Sequence, residues 1–303
     1  MKRVLAITGV TAVCALAALA VLSGSARATY PGTNNGRIAF GLTVNGNTDI
    51  YSMLPNGDDL RRLTDDPSAD MCAAYSPDGK QIAFCSTRSG NLEIWGMNQN
   101  GTDEHQVTRT GGRMIFPDFS PDGTKIAFSG HLQGGTNEDI FVANAADGTG
   151  LTQLTTSPGN DSFPKWSPDG SKISFLSNRT GVGQVWVMNA DGSNQTQLTF
   201  DAVPKGQLPS WSPDGSKIAY IGGDHVWVMN ADGSNQTQLT FGPGADFAPA
   251  WSPDGSQIAF GRNFGNGNRP VIVMNADGSD QHILVNGTGF APAWQPLGQR
   301  IDH

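Results

Sequence analysis

The chain contains few cysteines, and their spacing excludes a Cys-x-x-Cys metal or redox motif. It has three, at positions 14, 72 and 85. Cys72 and Cys85 flank one predicted hairpin, so we expect them to lie near each other. The spacing is compatible with a disulfide between them, as exported proteins form, and equally with two buried thiols.

Basic residues are also scarce. The chain has 19 Lys and Arg residues against 27 Asp and Glu, a formal net charge of −8. A nucleic-acid surface needs a stripe of basic residues to neutralise phosphates, and no such stripe is present. The same balance argues against binding to an anionic membrane surface. We therefore expect no nucleic-acid partner.

Long apolar runs are confined to the N-terminus. Lys2 and Arg3 precede a largely apolar stretch, residues 4–22, and Ala26-Arg27-Ala28 offers small residues for cleavage. This pattern predicts a signal peptide over residues 1–28, removed after Ala28, and export to the periplasm or the extracellular space. An uncleaved anchor is the alternative, because the run approaches the roughly 20 residues that span a bilayer. After cleavage we expect no stable membrane insertion and a monomer.

Sequence motifs for catalysis are missing as well. There is no Gly-x-Ser-x-Gly elbow, no His-Glu-x-x-His, no phosphate-binding loop and no dinucleotide fingerprint. The histidines are scattered without the spacing of metal ligands. These absences favour a protein that is not an enzyme.

A repeated tetrapeptide is the main positive feature. Ser-Pro-Asp-Gly occurs five times, at intervals of 40 to 47 residues, and a short apolar run follows each copy. A repeat of this length without helical stretches is typical of a β-propeller, in which each repeat forms one blade. The copies begin at Ser76, Ser120, Ser167, Ser212 and Ser252.

One repeat, residues 161–199, shows the content of a blade. Asp-Ser-Phe-Pro-Lys-Trp is a short strand, and Ser-Pro-Asp-Gly then turns the chain, because proline presets φ and glycine tolerates a positive φ. Three further strands follow in Lys-Ile-Ser-Phe-Leu, Gln-Val-Trp-Val-Met-Asn and Thr-Gln-Leu-Thr. The strands are apolar at nearly every position, so both faces of each sheet should be buried against neighbouring blades.

Counting the strands predicts a closed ring of six blades. The first repeat begins with a second strand and lacks an inner strand before it. The last inner strand, residues 290–294, is in turn followed by no second strand. We expect this strand to complete blade 1, so that no sheet edge stays open. The predicted fold is all-β, a single six-bladed propeller of four-stranded antiparallel blades over residues 29–303. The second strands lie at Ile38, Ile82, Ile126, Ile173, Ile218 and Ile258, and the inner strands end at Tyr75, Phe119, Trp166, Trp211, Trp251 and Trp294.

Three aspartates form the one candidate site. Each lies three residues before the proline position of an inner strand, in alternate blades, at Asp70, Asp161 and Asp246. If they converge on the mouth of the central channel, they could bind Ca²⁺ or a cationic peptide end. The alternative is that each one caps its own loop. No other cofactor is implied.

The repeats resemble those of the TolB-type six-bladed propellers, also called WD40-like propeller repeats. The resemblance covers residues 36–296 and rests on an inner Pro-x-Trp, the Ser-Pro-Asp-Gly turn with Ile-Ala-Phe after it, Met-Asn-Ala-Asp-Gly, and Gln-Leu-Thr. It implies an exported envelope protein that binds a peptide or protein partner at the channel mouth. TolB has an α/β domain before the propeller, whereas only residues 29–35 precede the resemblance after Ala28.

We expect a non-catalytic binding face made of the loops 64–70, 109–113, 131–138 and 262–269, which differ in length between repeats. A Ca²⁺-dependent propeller enzyme acting on a sugar or lactone is the alternative, since fold alone does not decide function.

Overall fold

The computed structural model describes residues 34–297, which form six four-stranded antiparallel sheets. The predicted signal peptide, residues 1–28, and its cleavage point lie outside the described residues. Within residues 34–297 no helix is long and apolar enough to cross a membrane. In chain order the strands are β1 (Asn34–Val44), β2 (Asn47–Met53), β3 (Arg61–Arg62), β4 (Asp70–Tyr75), β5 (Gln81–Ser86), β6 (Glu93–Asn98), β7 (His105–Gln106), β8 (Arg113–Phe119), β9 (Lys125–His131), β10 (Asp139–Asn144), β11 (Thr152–Gln153), β12 (Asp161–Trp166), β13 (Lys172–Ser177), β14 (Gln184–Asn189), β15 (Thr196–Gln197), β16 (Lys205–Trp211), β17 (Lys217–Gly222), β18 (His225–Asn230), β19 (Thr237–Gln238), β20 (Ala245–Trp251), β21 (Gln257–Asn263), β22 (Val271–Asn275), β23 (His282–Val285) and β24 (Thr288–Leu297).

The six sheets are the six predicted blades. Blades 2 to 6 each use four consecutive strands, from β4–β7 to β20–β23, whereas blade 1 has the order β24, β1, β2, β3. Strand β24 pairs antiparallel with β1, placing Trp294 opposite Ile38. The predicted closure, in which the C-terminal strand supplies the inner strand of blade 1, is therefore confirmed.

Apolar packing joins each blade to the next. The buried apolar side chains fall into six clusters, and each cluster draws its residues from two neighbouring blades. The second strand of every blade contributes one fully buried ring: Phe40, Phe84, Phe128, Phe175, Tyr220 and Phe260. Because both faces of each sheet are covered in this way, the strands are apolar at nearly every position.

The Ser-Pro-Asp-Gly turns are held by their own side chains. In blade 4 the Ser167 hydroxyl donates to Asp169 Oδ1 across 2.6 Å and accepts from the backbone N–H of Lys172 across 2.9 Å. The backbone N–H of Ser171 also donates to Asp169 Oδ1. The predicted role of these aspartates, turn residues that bind nearby backbone, is confirmed.

Every inner strand has a β-bulge at which one residue adopts a positive φ. The pairing register shifts there, and in five blades a proline follows the positive-φ residue, because proline has no N–H for the ladder. The six residues have φ values from 43° to 60°, and they are Cys72, Phe116, Phe163, Leu208, Ala248 and Ala291.

Candidate binding site at the channel mouth

The inner strands surround a central channel, and the two ends of this channel differ in chemistry. At one end lie the Ser-Pro-Asp-Gly turns and the turns between the third and fourth strands; we call this the turn face. At the other end lie the loops from second to third strand and from each blade to the next; we call this the mouth face. All four loops that the sequence predicted as a binding face lie on the mouth face.

A cavity of about 520 Å³ lies at the mouth face. Its wall is mainly apolar and receives side chains from several blades around the channel. Below it the channel narrows to a space of about 140 Å³ between the inner strands. The apolar wall of the cavity includes Met71, Phe116, Leu208, Ile221, Phe247 and Phe290.

The six bulge residues with positive φ differ from the other non-glycine residues of this conformation in the described chain, which are all Asn or Asp and tolerate it more easily. Five of the six positive-φ residues line both the cavity and the channel below it, among them Phe116 and Leu208. The sixth, Phe163, packs against Phe116 with ring centroids 4.3 Å apart. A left-handed conformation costs a residue with a Cβ atom roughly 1–2 kcal/mol. Such conformations cluster at functional sites, where surrounding structure maintains them.

The three predicted aspartates are buried, and each forms an ion pair with an arginine of its own blade. Nη2 of Arg88 lies 2.6 Å from Oδ2 of Asp70, and Nη2 of Arg179 lies 2.7 Å from Oδ2 of Asp161. The third pair joins Nε of Arg262 to Oδ1 of Asp246 across 2.5 Å. These contacts give each carboxylate a partner within its own blade.

The arginines are fixed by aromatic rings as well as by the carboxylates. The guanidinium carbon of Arg88 lies 4.8 Å from the centre of the Trp95 ring, and that of Arg179 lies 4.7 Å from the Trp186 ring. Sequence reasoning missed these partners. Their signal was present, because an arginine follows each of the three aspartates by 16 or 18 residues, at or just beyond the end of the second strand of the same blade.

The electrostatics of these carboxylates are dominated by burial. Burial raises the pKa of Asp70 and that of Asp161, while the hydrogen bonds and the positive charge of the paired arginine act in the opposite direction. Within residues 34–297 no group of three or more His, Cys, Asp or Glu side chains is placed to hold a metal ion. Oδ1 of Asp70 and of Asp161 is nevertheless buried without a hydrogen-bond partner in this part of the chain. The calcium site stays a prediction.

Two charged side chains of the cavity wall are left without an ion-pair partner among the described residues. Arg269, in the predicted 262–269 loop, has its guanidinium carbon 5.5 Å from the centre of the Phe290 ring. Asp224, in the two-residue turn of blade 5, is exposed. Within the cavity, the charge available to a ligand therefore belongs to these two residues rather than to the buried aspartates.

The two remaining cysteines lie in the wall between blades 2 and 3. Both are buried and are free thiols in the structure, and Cys72 lines the cavity. The backbone N–H of Phe116 donates to Sγ of Cys85 across 3.3 Å. Burial, followed by the neighbouring Cys72 thiol, raises the pKa of Cys85. The bulge and the positive φ of Cys72 bring the pair together, and the disulfide between them stays a prediction.

Large apolar side chains are exposed on the loops around the mouth. Phe200 is 76% exposed and Phe241 67%, at equivalent positions of consecutive repeats. Val203 (48%) lies in the same loop as Phe200, and Phe264 (41%) lies in the 262–269 loop of blade 6. We call these four residues the mouth rim. Several large exposed apolar side chains on one face of a protein favour an interaction surface there.

Comparison with solved structures gives the same fold. TolB from Acinetobacter baumannii is 22% identical, with a TM-score of 0.76, over 88% of this chain and 68% of that chain. A chain of a nidogen/laminin complex is 14% identical, with a TM-score of 0.70, over 86% and 98%. Oligogalacturonate lyase in complex with manganese is 14% identical, with a TM-score of 0.52, over 84% and 74%. At these identities the likeness concerns the fold alone.

Comparison with families gives a more specific result. No curated protein matches the sequence. The TolB beta propeller domain, by contrast, matches residues 14–115 and 102–297, which together cover most of the chain. The repeat motifs, the six closed blades and this match agree, and the chain belongs to the TolB beta propeller domain family.

Proposed function

We propose that this protein is an exported, non-catalytic scaffold that binds a protein or peptide at its mouth face, in the periplasm or the extracellular space. The observation that carries the proposal is the combination of an apolar cavity with the exposed mouth rim. A cavity of about 520 Å³ suits a small ligand or the end of a chain. The rim extends beyond that cavity, so its apolar surface needs a larger partner to cover it.

Three further observations support parts of the proposal. Residues 1–28 have the pattern of a signal peptide, which supports export. The three candidate aspartates, Asp70, Asp161 and Asp246, are ion-paired and buried, a condition that favours a structural role over acid-base chemistry. Among the proteins of similar fold, one is described as part of a nidogen/laminin complex, and that description is of an assembly between proteins.

The proposal is tested by capturing partners with the mature chain, residues 29–303, and with two matched double variants. Phe200→Ser with Phe241→Ser alters the mouth rim. Leu60→Ser with Leu151→Ser removes exposed apolar side chains, 47% and 39% accessible, from the opposite side of the blades. Envelope extract of the exporting cell is passed over each protein, and bound chains are identified by mass spectrometry.

We expect a discrete partner to be retained by the wild type and by the Leu60/Leu151 variant and lost from the Phe200/Phe241 variant. All three proteins should have the same circular dichroism and melting temperature, because the substituted side chains are exposed. Retention of the same partner by the Phe200/Phe241 variant would place the interaction elsewhere and contradict the proposed function.

A further inference from the structure

We propose that the mouth cavity binds the carboxyl terminus of a partner chain, with Arg269 pairing with the terminal carboxylate and the apolar wall enclosing the last side chains. This inference rests on the proposed function and names the part of the partner that the site recognises. Guanidinium groups bind carboxylates through two parallel hydrogen bonds, and this geometry selects a free chain end over an internal peptide bond.

Arg269 is the one arginine among the described residues that both lines the cavity and lacks an anionic partner. Arg88, Arg179 and Arg262 bind buried aspartates, and Arg113 binds Glu138. Within residues 34–297 the guanidinium of Arg269 contacts only an aromatic face, that of Phe290. An arginine stacked on a ring keeps its N–H donors free at the edges of the guanidinium plane, and these donors can therefore bind a ligand.

The backbone holds Arg269 in a defined place on the cavity wall. Its N–H donates to the carbonyl oxygen of Gly287 across 2.6 Å, and its own carbonyl accepts from the N–H of Gly289 across 2.9 Å. These bonds tie the loop to the start of β24. The cation is thus positioned by the closing strand of the ring, so that little ordering is needed when a ligand binds.

Among the described residues, Arg269 is the one cation of the cavity wall that has no ion-pair partner. Asp246 is neutralised by Arg262, whose Nε and Nη2 reach its two carboxylate oxygens at 2.5 and 3.1 Å. Asp224 is exposed and carries the opposite charge. A carboxylate would be drawn to Arg269, whereas an amino group would be drawn to Asp224, and the two possibilities are separable by substitution.

The surroundings of the cavity indicate a chain end rather than a free small acid. Val203 lies at the rim, since its Cγ1 is 3.7 Å from the position a Cβ atom would take on Gly223, a residue of the cavity wall. Phe200 lies in the same loop and Phe264 in the loop of Arg269. A small acid inside the cavity would leave these side chains exposed, whereas a chain leaving the cavity would pass over them.

The test uses a fluorescent hexapeptide library with random apolar residues at its last two positions, made once as the free acid and once as the C-terminal amide. Binding of both forms to the mature chain is measured by fluorescence anisotropy. Arg269→Gln removes the charge at the cavity. Arg109→Gln is the matched control, because Arg109 is an exposed arginine of the same face that does not line the cavity.

We expect the wild type to bind the acid about tenfold more tightly than the amide, equivalent to about 1.4 kcal/mol. Arg269→Gln should abolish this preference by weakening the acid alone, and Arg109→Gln should preserve it. Equal affinity of the wild type for acid and amide overturns the carboxylate inference but leaves peptide binding at the mouth intact. A preference for the acid over the amide that persists in Arg269→Gln also overturns the inference.

Two further outcomes separate the inference from the proposed function. Binding that Asp224→Asn weakens and Arg269→Gln does not would show recognition of a basic group and overturn the inference. If no library member binds, the inference is wrong, and the proposed function is then judged by the Phe200/Phe241 capture experiment alone. Melting temperatures of all variants are measured alongside, so that a folding defect is not taken for a binding defect.

Discussion

The side-chain amide of Gln295 donates a hydrogen bond to the backbone carbonyl of Gly79 across 2.8 Å, and so joins the C-terminal strand to the first turn of blade 2. The same side chain accepts from the backbone N–H of Arg37 across 3.0 Å. Gln295 is 4% exposed. One buried amide therefore links the closing strand to β1 of its own blade and to the neighbouring blade 2.

Gln295→Ala should destabilise the propeller by about 1–3 kcal/mol, because it leaves buried backbone groups without partners. Urea unfolding measures the change. Gln197→Ala is the control, since the side chain of Gln197, in an outer strand, donates among the described residues only to the carbonyl of Thr199 two residues away. If the free energy of unfolding falls equally in the two variants, the hydrogen bonds of Gln295 at the ring closure contribute no more to stability than an ordinary side-chain hydrogen bond.

Arg179→Gln should destabilise the protein by about 3–5 kcal/mol, because it leaves the fully buried carboxylate of Asp161 without its cation. Arg109→Gln, at an exposed arginine without an ion pair in the described chain, should change the unfolding free energy little. The two variants are compared by chemical denaturation at neutral pH. A small effect of Arg179→Gln would mean that Asp161 is not held as an ion in the folded protein.

Acid should remove stability through the turn aspartates. The Ser120 hydroxyl, and then the Thr124 N–H, lower the pKa of Asp122 below its ordinary value of 3.8. The folded state therefore binds the proton more weakly than the unfolded state, so this contribution is present above the ordinary pKa and is lost as pH falls through the lowered one. Asp122→Asn should lose less stability than the wild type between about pH 5 and pH 2. If the free energy of unfolding decreases with pH by the same amount in the two proteins, this account is contradicted.

Calcium should not raise the melting temperature of the wild type, because the three candidate aspartates are already paired with arginines. Differential scanning calorimetry with added Ca²⁺ and then with chelator measures this directly. A rise that chelator reverses, and that the Asp70→Asn, Asp161→Asn, Asp246→Asn triple variant lacks, would instead establish the predicted site. It would also favour the alternative function, a calcium-dependent propeller enzyme.

The two buried cysteines should resist a maleimide in the native protein and react once the chain is unfolded. Both thiols are buried, and the raised pKa of Cys85 keeps its thiol protonated near neutral pH. Mass spectrometry after labelling in denaturant counts the added groups on the mature chain. Two labels indicate free thiols, as in the structure, whereas none without reductant would establish the disulfide.

The propeller could be predicted from its sequence because its blades are built from local signals repeated in order. Each Ser-Pro-Asp-Gly turn fixes a hairpin through bonds that span five residues or fewer, so it can be recognised without knowing the rest of the fold. Gln-Pro-Leu-Gly, at 295–298, occupies the sixth position in altered form. Gln295, which bonds to Gly79 and Arg37, therefore stands where the other five copies have the serine of the turn.

The site was less predictable, since it depends on contacts between distant residues. Spacing alone placed Asp70, Asp161 and Asp246 near the mouth but could not show that arginines neutralise them. The cation that remains free, Arg269, appears in the sequence as an ordinary loop residue. Its proposed role depends on its lack of an ion-pair partner among the described residues, which is a property of the folded chain.

The pairing of β24 with β1 makes completion of the fold a late event. Asn34 pairs with Leu297, so the contact that closes the ring joins the first and last described residues. Until the last strand is synthesised, blade 1 lacks its inner strand and two sheet edges stay open to other chains. Contacts of such long sequence separation form slowly. A chain cut short by even this one strand would therefore be more prone to aggregate than to persist as a smaller propeller.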